Sequence, residues 1–206
     1  MDLLQQKLER SAITGTLDIS NMGLKIMPAL PSGLKKLKCS SNHFITLPTL
    51  PSGLTYLDCC QNQLSDLPTL PSGLTVLVCS FNQLSGLPAL SDGLTYLDCS
   101  QNQLANLPPL PSTLIKLFCS LNQLTNLPKL PSALIMLWCS DNKLSVLPTL
   151  SVGLTELDCS QNQLSELPKI PSTLRVLKCA RNHLITLPEV PSTLEVLYCY
   201  RNPLEE

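Results

Sequence analysis

"LDCSQNQL" stands at residues 97–104 and again at 157–164, with "LDCCQNQL" at 57–64. The copies are separated by multiples of twenty residues, so the phrase belongs to a longer period. In that register Leu fills every twentieth position from 34 to 194 and again from 17 to 197. Cys does so from 39 to 199, Asn from 42 to 202 and Pro from 28 to 188. One repeat reads L-x-x-L-x-C-S-x-N-x-L-x-x-L-P-x-L-P-S-x, uninterrupted from residue 34 to 204. A fixed period of this length is the mark of a solenoid, in which each repeat is too small to bury its own apolar face and stacks on its neighbours.

The run L-x-x-L-x-C-x-x-N-x-L is the signature of a leucine-rich repeat with Cys in place of the third Leu. The second half, "LPTLPSGL" or "LPPLPSTL", resembles the short bacterial repeat of the IpaH/YopM type of secreted effector. The resemblance implies a leucine-rich-repeat solenoid of about ten short parallel strands on a concave face. It also implies an effector, or a related protein, acting on a host protein in a reducing cytosol.

The columns have physical reasons of their own. Around Leu37-Lys38-Cys39 the chain alternates apolar and variable positions, as a half-buried strand does. Leu34, Leu37, Cys39, Phe44, Leu47 and Leu50 then point into one continuous core. Asn42 and its equivalents lie where the chain leaves the strand, placed to satisfy backbone groups that the turn leaves unpaired. Pro48, Pro51 and their equivalents exclude a helix on the return side, which should be extended or polyproline-like.

Ten cysteines could suggest disulfides. Nine of them, however, fall one per strand in an inward column, where in-register parallel strands aim their Cβ vectors the same way. They read as packed free thiols of a reducing compartment. A single file of thiols does not make a tetrahedral metal cage, and no metal or cofactor is expected. Cys60 is the exception, following Cys59 where other repeats carry Ser, and should be more exposed.

Charge and composition exclude several classes. With 14 basic and 15 acidic residues the chain lacks the basic excess of a nucleic-acid binder. No apolar stretch is long enough to span a membrane. "MDLLQQKLER" has no basic start followed by an apolar core, so a Sec-type signal peptide is not expected, and no N-x-S/T acceptor occurs. Nor does a catalytic set assemble. Cys139-Ser140-Asp141 matches the Cys-x-Asp motif of the IpaH-type ligase, but Cys139 belongs to the inward column. His43 and His183 stand seven repeats apart. Asp58 and Asp98 face outward with Val78 between them, and read as surface charge. The chain is not expected to be an enzyme.

In so strict a repeat, information sits in the columns that vary. The outward strand positions run Lys36, Tyr56, Val76, Tyr96, Lys116, Met136, Glu156, Val176, Val196, and Lys38, Asp58, Val78, Asp98, Phe118, Trp138, Asp158, Lys178, Tyr198. A third column just past the strand adds Phe81, Leu121 and Asp141. Seven of the eight aromatic residues fall in these columns or beside them, at Tyr200; only Phe44 is a core substitute. The candidate binding surface is therefore Tyr56, Val78, Phe81, Tyr96, Phe118, Leu121, Met136 and Trp138, rimmed by Asp98, Lys116, Asp141 and Asp158. Exposed apolar clusters of this kind mark interaction sites, and aromatic anchors dominate them.

Residues 1–13 are expected to form a short N-terminal helical cap, with Asp2 as N-cap and Leu4, Leu8 and Ala12 toward the core; residues 14–206 form about ten repeats. The first repeat looks degenerate, with Ile19 for Cys and its Asn one place early, at Asn21. The last strand is expected to be an unpaired edge, open to self-association. The leading expectation is a non-catalytic protein-binding module. The competing ones are the recognition arm of a larger enzyme of the ubiquitin-ligase-effector kind, and a structural or self-assembling protein.

Overall fold

The computed structural model describes residues 3–205. A helix, α1 (Leu3–Thr14), leads into ten three-residue strands. These are β1 (Thr16–Asp18), β2 (Lys36–Lys38), β3 (Tyr56–Asp58), β4 (Val76–Val78), β5 (Tyr96–Asp98), β6 (Lys116–Phe118), β7 (Met136–Trp138), β8 (Glu156–Asp158), β9 (Val176–Lys178) and β10 (Val196–Tyr198). They form one parallel sheet in chain order, so consecutive strands are always neighbours. Each pair is in register at twenty residues, as Leu97 is with Leu77 and Leu117. This is the expected solenoid, with the sheet as its concave face.

The columns do what their chemistry demands. In β2 to β9 the central Leu is buried and both flanking residues face outward. Cys39 through Cys179 are fully buried, and so is Phe44 in the Leu column. No helix or strand forms on the proline-bearing return path. A tight turn re-enters each strand: the Leu34 N–H donates to the Pro31 carbonyl, and the same bond recurs in every later repeat.

Asparagine ties one repeat to the next. Asn162 Nδ2 donates to the carbonyls of Cys139, Cys159 and Ser160 at 3.0, 3.1 and 3.2 Å. Its Oδ1 accepts from the Leu144 N–H at 2.9 Å. Among the described residues no buried side-chain nitrogen or oxygen lacks a partner.

Two expectations about the first repeat need correction. Asn21 is not a displaced member of the ladder. It has φ 57° and occupies the left-handed position that every repeat places just past its strand. The ladder site there is empty of Asn, and Asn42 Oδ1 accepts from both Met22 and Leu24 N–H. In α1 the residue turned to the core is Ser11, 1% exposed, while Ala12 is exposed. Leu4, Leu8 and Ser11 follow a 3.6-residue spacing more closely than Leu4, Leu8 and Ala12. Ser11 is accommodated because its hydroxyl donates to the Leu8 carbonyl at 2.7 Å. Asp2, expected as N-cap, lies outside the described residues.

Candidate functional site

Each strand is three residues long, and what happens at its end positions the outward side chains. At the αL column the chain bends away: Asn21, Ser41, Gln61, Phe81, Gln101, Leu121, Asp141, Gln161, Arg181 and Arg201 all have φ between 53° and 58°. None is glycine, and each carries a strain of roughly 1–2 kcal/mol relative to a right-handed residue, least for Asn and Asp. Where Asp occupies the last strand position it supports this bend. Asp58, Asp98 and Asp158 each accept through Oδ1 from the backbone N–H two residues on, at 3.1, 3.0 and 3.1 Å. The repeated Asp of the opening phrase thus has a structural duty.

The centre of the sheet carries a line of rings. Tyr96 on β5 meets Phe118 on β6 edge-on, with centroids 5.4 Å apart and planes at 71°. Phe118 in turn lies 4.7 Å from Trp138 on β7, at 52°. Trp138 is 41% exposed, in a position where the neighbouring core Leu is fully buried. Packing of the interior therefore does not account for it. Met136 and Lys116 lie in the adjacent outward column, in register with each other. Val78 sits between Asp58 and Asp98, and Tyr56 and Tyr96 flank Val76.

Not all the expected residues join one patch. Phe81 and Leu121, both 46% exposed, occupy the left-handed turn column two strands apart, along the edge of the sheet rather than within the ring line. Asp141 lies in that same column, where its Oδ1 accepts from Gln161 Nε2 at 2.6 Å. Asp98 and Asp158 border the rings on either side in the second outward column.

Lys178 was not among the expected site residues. Its Nζ stands 6.0 Å over the Trp138 ring and 3.8 Å from Asp158 Oδ2. It lies in the same outward column as Trp138, two repeats on, which is the signal that could have found it.

Thiol chemistry is suppressed along the buried ladder. Burial pushes the thiols of Cys39 through Cys179 up, Cys139 among them, so the Cys-Ser-Asp string holds a protonated core residue rather than a nucleophile. Cys60 is partly exposed, as expected, yet burial and then the Asp58 carboxylate push its thiol up to about 12. Burial, then the neighbouring carboxylates, also raise the phenols of Tyr56 and Tyr96, which stay neutral. All ten cysteines are free, and the described residues contain no metal-binding group of His, Cys, Asp and Glu. Among the described residues no helix is long and apolar enough to cross a membrane. Two open grooves lie over the proline-bearing segments, one beside Pro109, Pro128 and Pro148; the charged residues lining them are Lys129 in that groove and Lys169 and Glu189 in the other.

No family model matches the chain, and no curated protein matches it. Solved structures do. YopM, a leucine-rich effector protein from Yersinia pestis, is 31% identical with a TM-score of 0.86, over 97% of this chain and 65% of that one. The functional domain of InlJ from Listeria monocytogenes, which includes a cysteine ladder, is 32% identical with a TM-score of 0.85, over 96% of this chain and 46% of that one. A Shigella effector leucine-rich-repeat domain is 32% identical with a TM-score of 0.74, over 79% of this chain and 76% of that one. The chain thus spans 65% of the YopM structure and 46% of the InlJ structure.

Proposed function

This chain belongs to the bacterial leucine-rich-repeat proteins with a twenty-residue repeat, and from that premise we propose that it is a non-catalytic module that binds a partner protein on its concave face. The observation that carries the reading is the line Tyr96–Phe118–Trp138: three touching rings on outward positions of adjacent strands. Rigid aromatics on a fixed sheet lose little conformational entropy on binding and make dominant anchors. Tyr56, Val78 and Met136 widen the apolar surface, and Phe81 and Leu121 extend its edge. Asp98, Lys116, Asp141 and Asp158 supply the polar rim.

Similarity to effectors of Yersinia and Shigella supports a finer version, in which the partner belongs to a host cell and is met in a reducing cytosol. The ladder of reduced thiols suits that setting. Affinity capture from eukaryotic lysate, with the native chain beside a Phe118→Asp/Trp138→Asp variant, tests the proposal. A partner retained by the native chain and lost by the variant, with both shown folded by thermal melting, is the expected result. Equal retention of the same partners by both would refute the assignment to this face.

A further inference from the structure

The rings on the concave face already hold a cation. Lys178 Nζ is poised over the Trp138 ring at 6.0 Å and beside Asp158 Oδ2 at 3.8 Å, each at the outer reach of its interaction. Its side chain remains 37% exposed. Asp158 itself is fixed, because its Oδ1 accepts from the Ser160 N–H at 3.1 Å. An aromatic face and a pinned carboxylate together form a cation site, and the resident ammonium fills it loosely.

Charge around the site points the same way. Across β3 to β8, the outward and turn columns carry Asp58, Asp98, Asp141, Glu156 and Asp158 against Lys116 alone. The corresponding columns of β9 and β10 carry Lys178, Arg181 and Arg201 with no acid. The middle of the sheet is therefore acidic where the rings are, and it draws a basic group toward them.

We propose that the concave face recognises a basic side chain of its protein partner, an arginine in preference to a lysine, which displaces Lys178 and lies on Trp138 with its charge against Asp158. A guanidinium is planar and weakly hydrated, so it can lie flat on the indole while its edge pairs with the carboxylate, whereas the compact Lys178 ammonium reaches both only at long range. Lys178 is an internal stand-in that competes with the ligand. The proposal rests on the concave face being the binding face, and deepens that reading by naming what the rings take.

Trp138 is the only tryptophan, so its indole N–H gives a single resonance that reports on the site. The experiment titrates the whole chain with a capped Gly-Arg-Gly peptide and with the same peptide carrying citrulline, the neutral isostere of arginine. The arginine peptide should move the resonance saturably and bind about tenfold tighter than citrulline, the loss expected for removing a paired charge beside a ring. Lys178→Met should tighten arginine binding several-fold by removing the competitor. Asp158→Asn, which keeps the Oδ1 acceptor for Ser160, should weaken it about tenfold while the fold is retained. Equal binding of the two peptides would overturn the cation site while leaving an apolar binding face intact. Absence of a saturable shift, or a Lys178→Met chain with unchanged or weaker arginine binding, would overturn it as well.

Discussion

A single turn position shows how much of this protein is decided residue by residue. Ten repeats place a non-glycine residue in the left-handed region, and two of them place a bulky apolar side chain there, Phe81 and Leu121. Asn is better suited to that backbone, and the first repeat uses it at Asn21. Leu121→Asn is therefore expected to raise stability by about 1 kcal/mol, read as a higher urea midpoint. A lower midpoint would mean that Leu121 makes contacts worth more than its strain. The Leu, Cys, Asn and Pro columns were legible in the sequence because invariance under a fixed period exposes structural demand. The left-handed column was not, because it varies freely in identity: the constraint there is on φ, and side-chain type hardly records it. Asn21 was misread for that reason.

At the scale of elements, the asparagine ladder outweighs any strand, since three-residue strands offer few bonds of their own. Asn162 is buried and gives or receives hydrogen bonds with four backbone groups on two repeats. Removing it takes the acceptor from the Leu144 N–H and one bond from each of three carbonyls, which keep Asn142, Asn182 and the Asp141 N–H as donors. Asn162→Ala should cost about 3 kcal/mol or more in equilibrium urea unfolding; a loss below about 1 kcal/mol would show that water or backbone adjustment replaces it. The N-terminal helix was legible from its Leu4 and Leu8 spacing. Its third contact was not, because an i, i+4, i+8 spacing continues to Ala12, whereas the 3.6-residue turn brings Ser11 inward, where its hydroxyl bonds the helix's own backbone. The ring line was legible as a set of outward aromatics, but the side-chain contacts that order Tyr96, Phe118 and Trp138, and that bring Lys178 over the last of them, depend on rotamers.

For the whole molecule, the stacked thiols have a collective consequence. Eight cysteines, Cys39 through Cys179, are fully buried, and burial raises every one of their pKa values, to about 12 for Cys179. Unfolded, each ionises near its ordinary value of about 8.5. Above that pH the unfolded chain binds fewer protons than the folded one, so stability falls as pH rises toward the folded values. Each thiol contributes about 1.4 kcal/mol per pH unit, and eight together remove about 11 kcal/mol per unit. That is comparable with the whole stability of a typical domain, about 5–15 kcal/mol. Cooperative loss of circular dichroism is expected between about pH 9 and pH 10.5 under reducing conditions. A chain still folded at about pH 11 would contradict the linkage.

Function, on this account, is a property of one face of the whole solenoid, built from columns that the repeat leaves free. The most direct measurement places a photoreactive benzoylphenylalanine at Phe118, on the concave sheet, or at Lys129, which is exposed beside the proline-bearing groove. Each chain is then irradiated with the captured partner. Cross-linking from position 118 and little or none from position 129 is the predicted result. Cross-linking from position 129 alone would place the partner on the opposite wall and contradict the central claim.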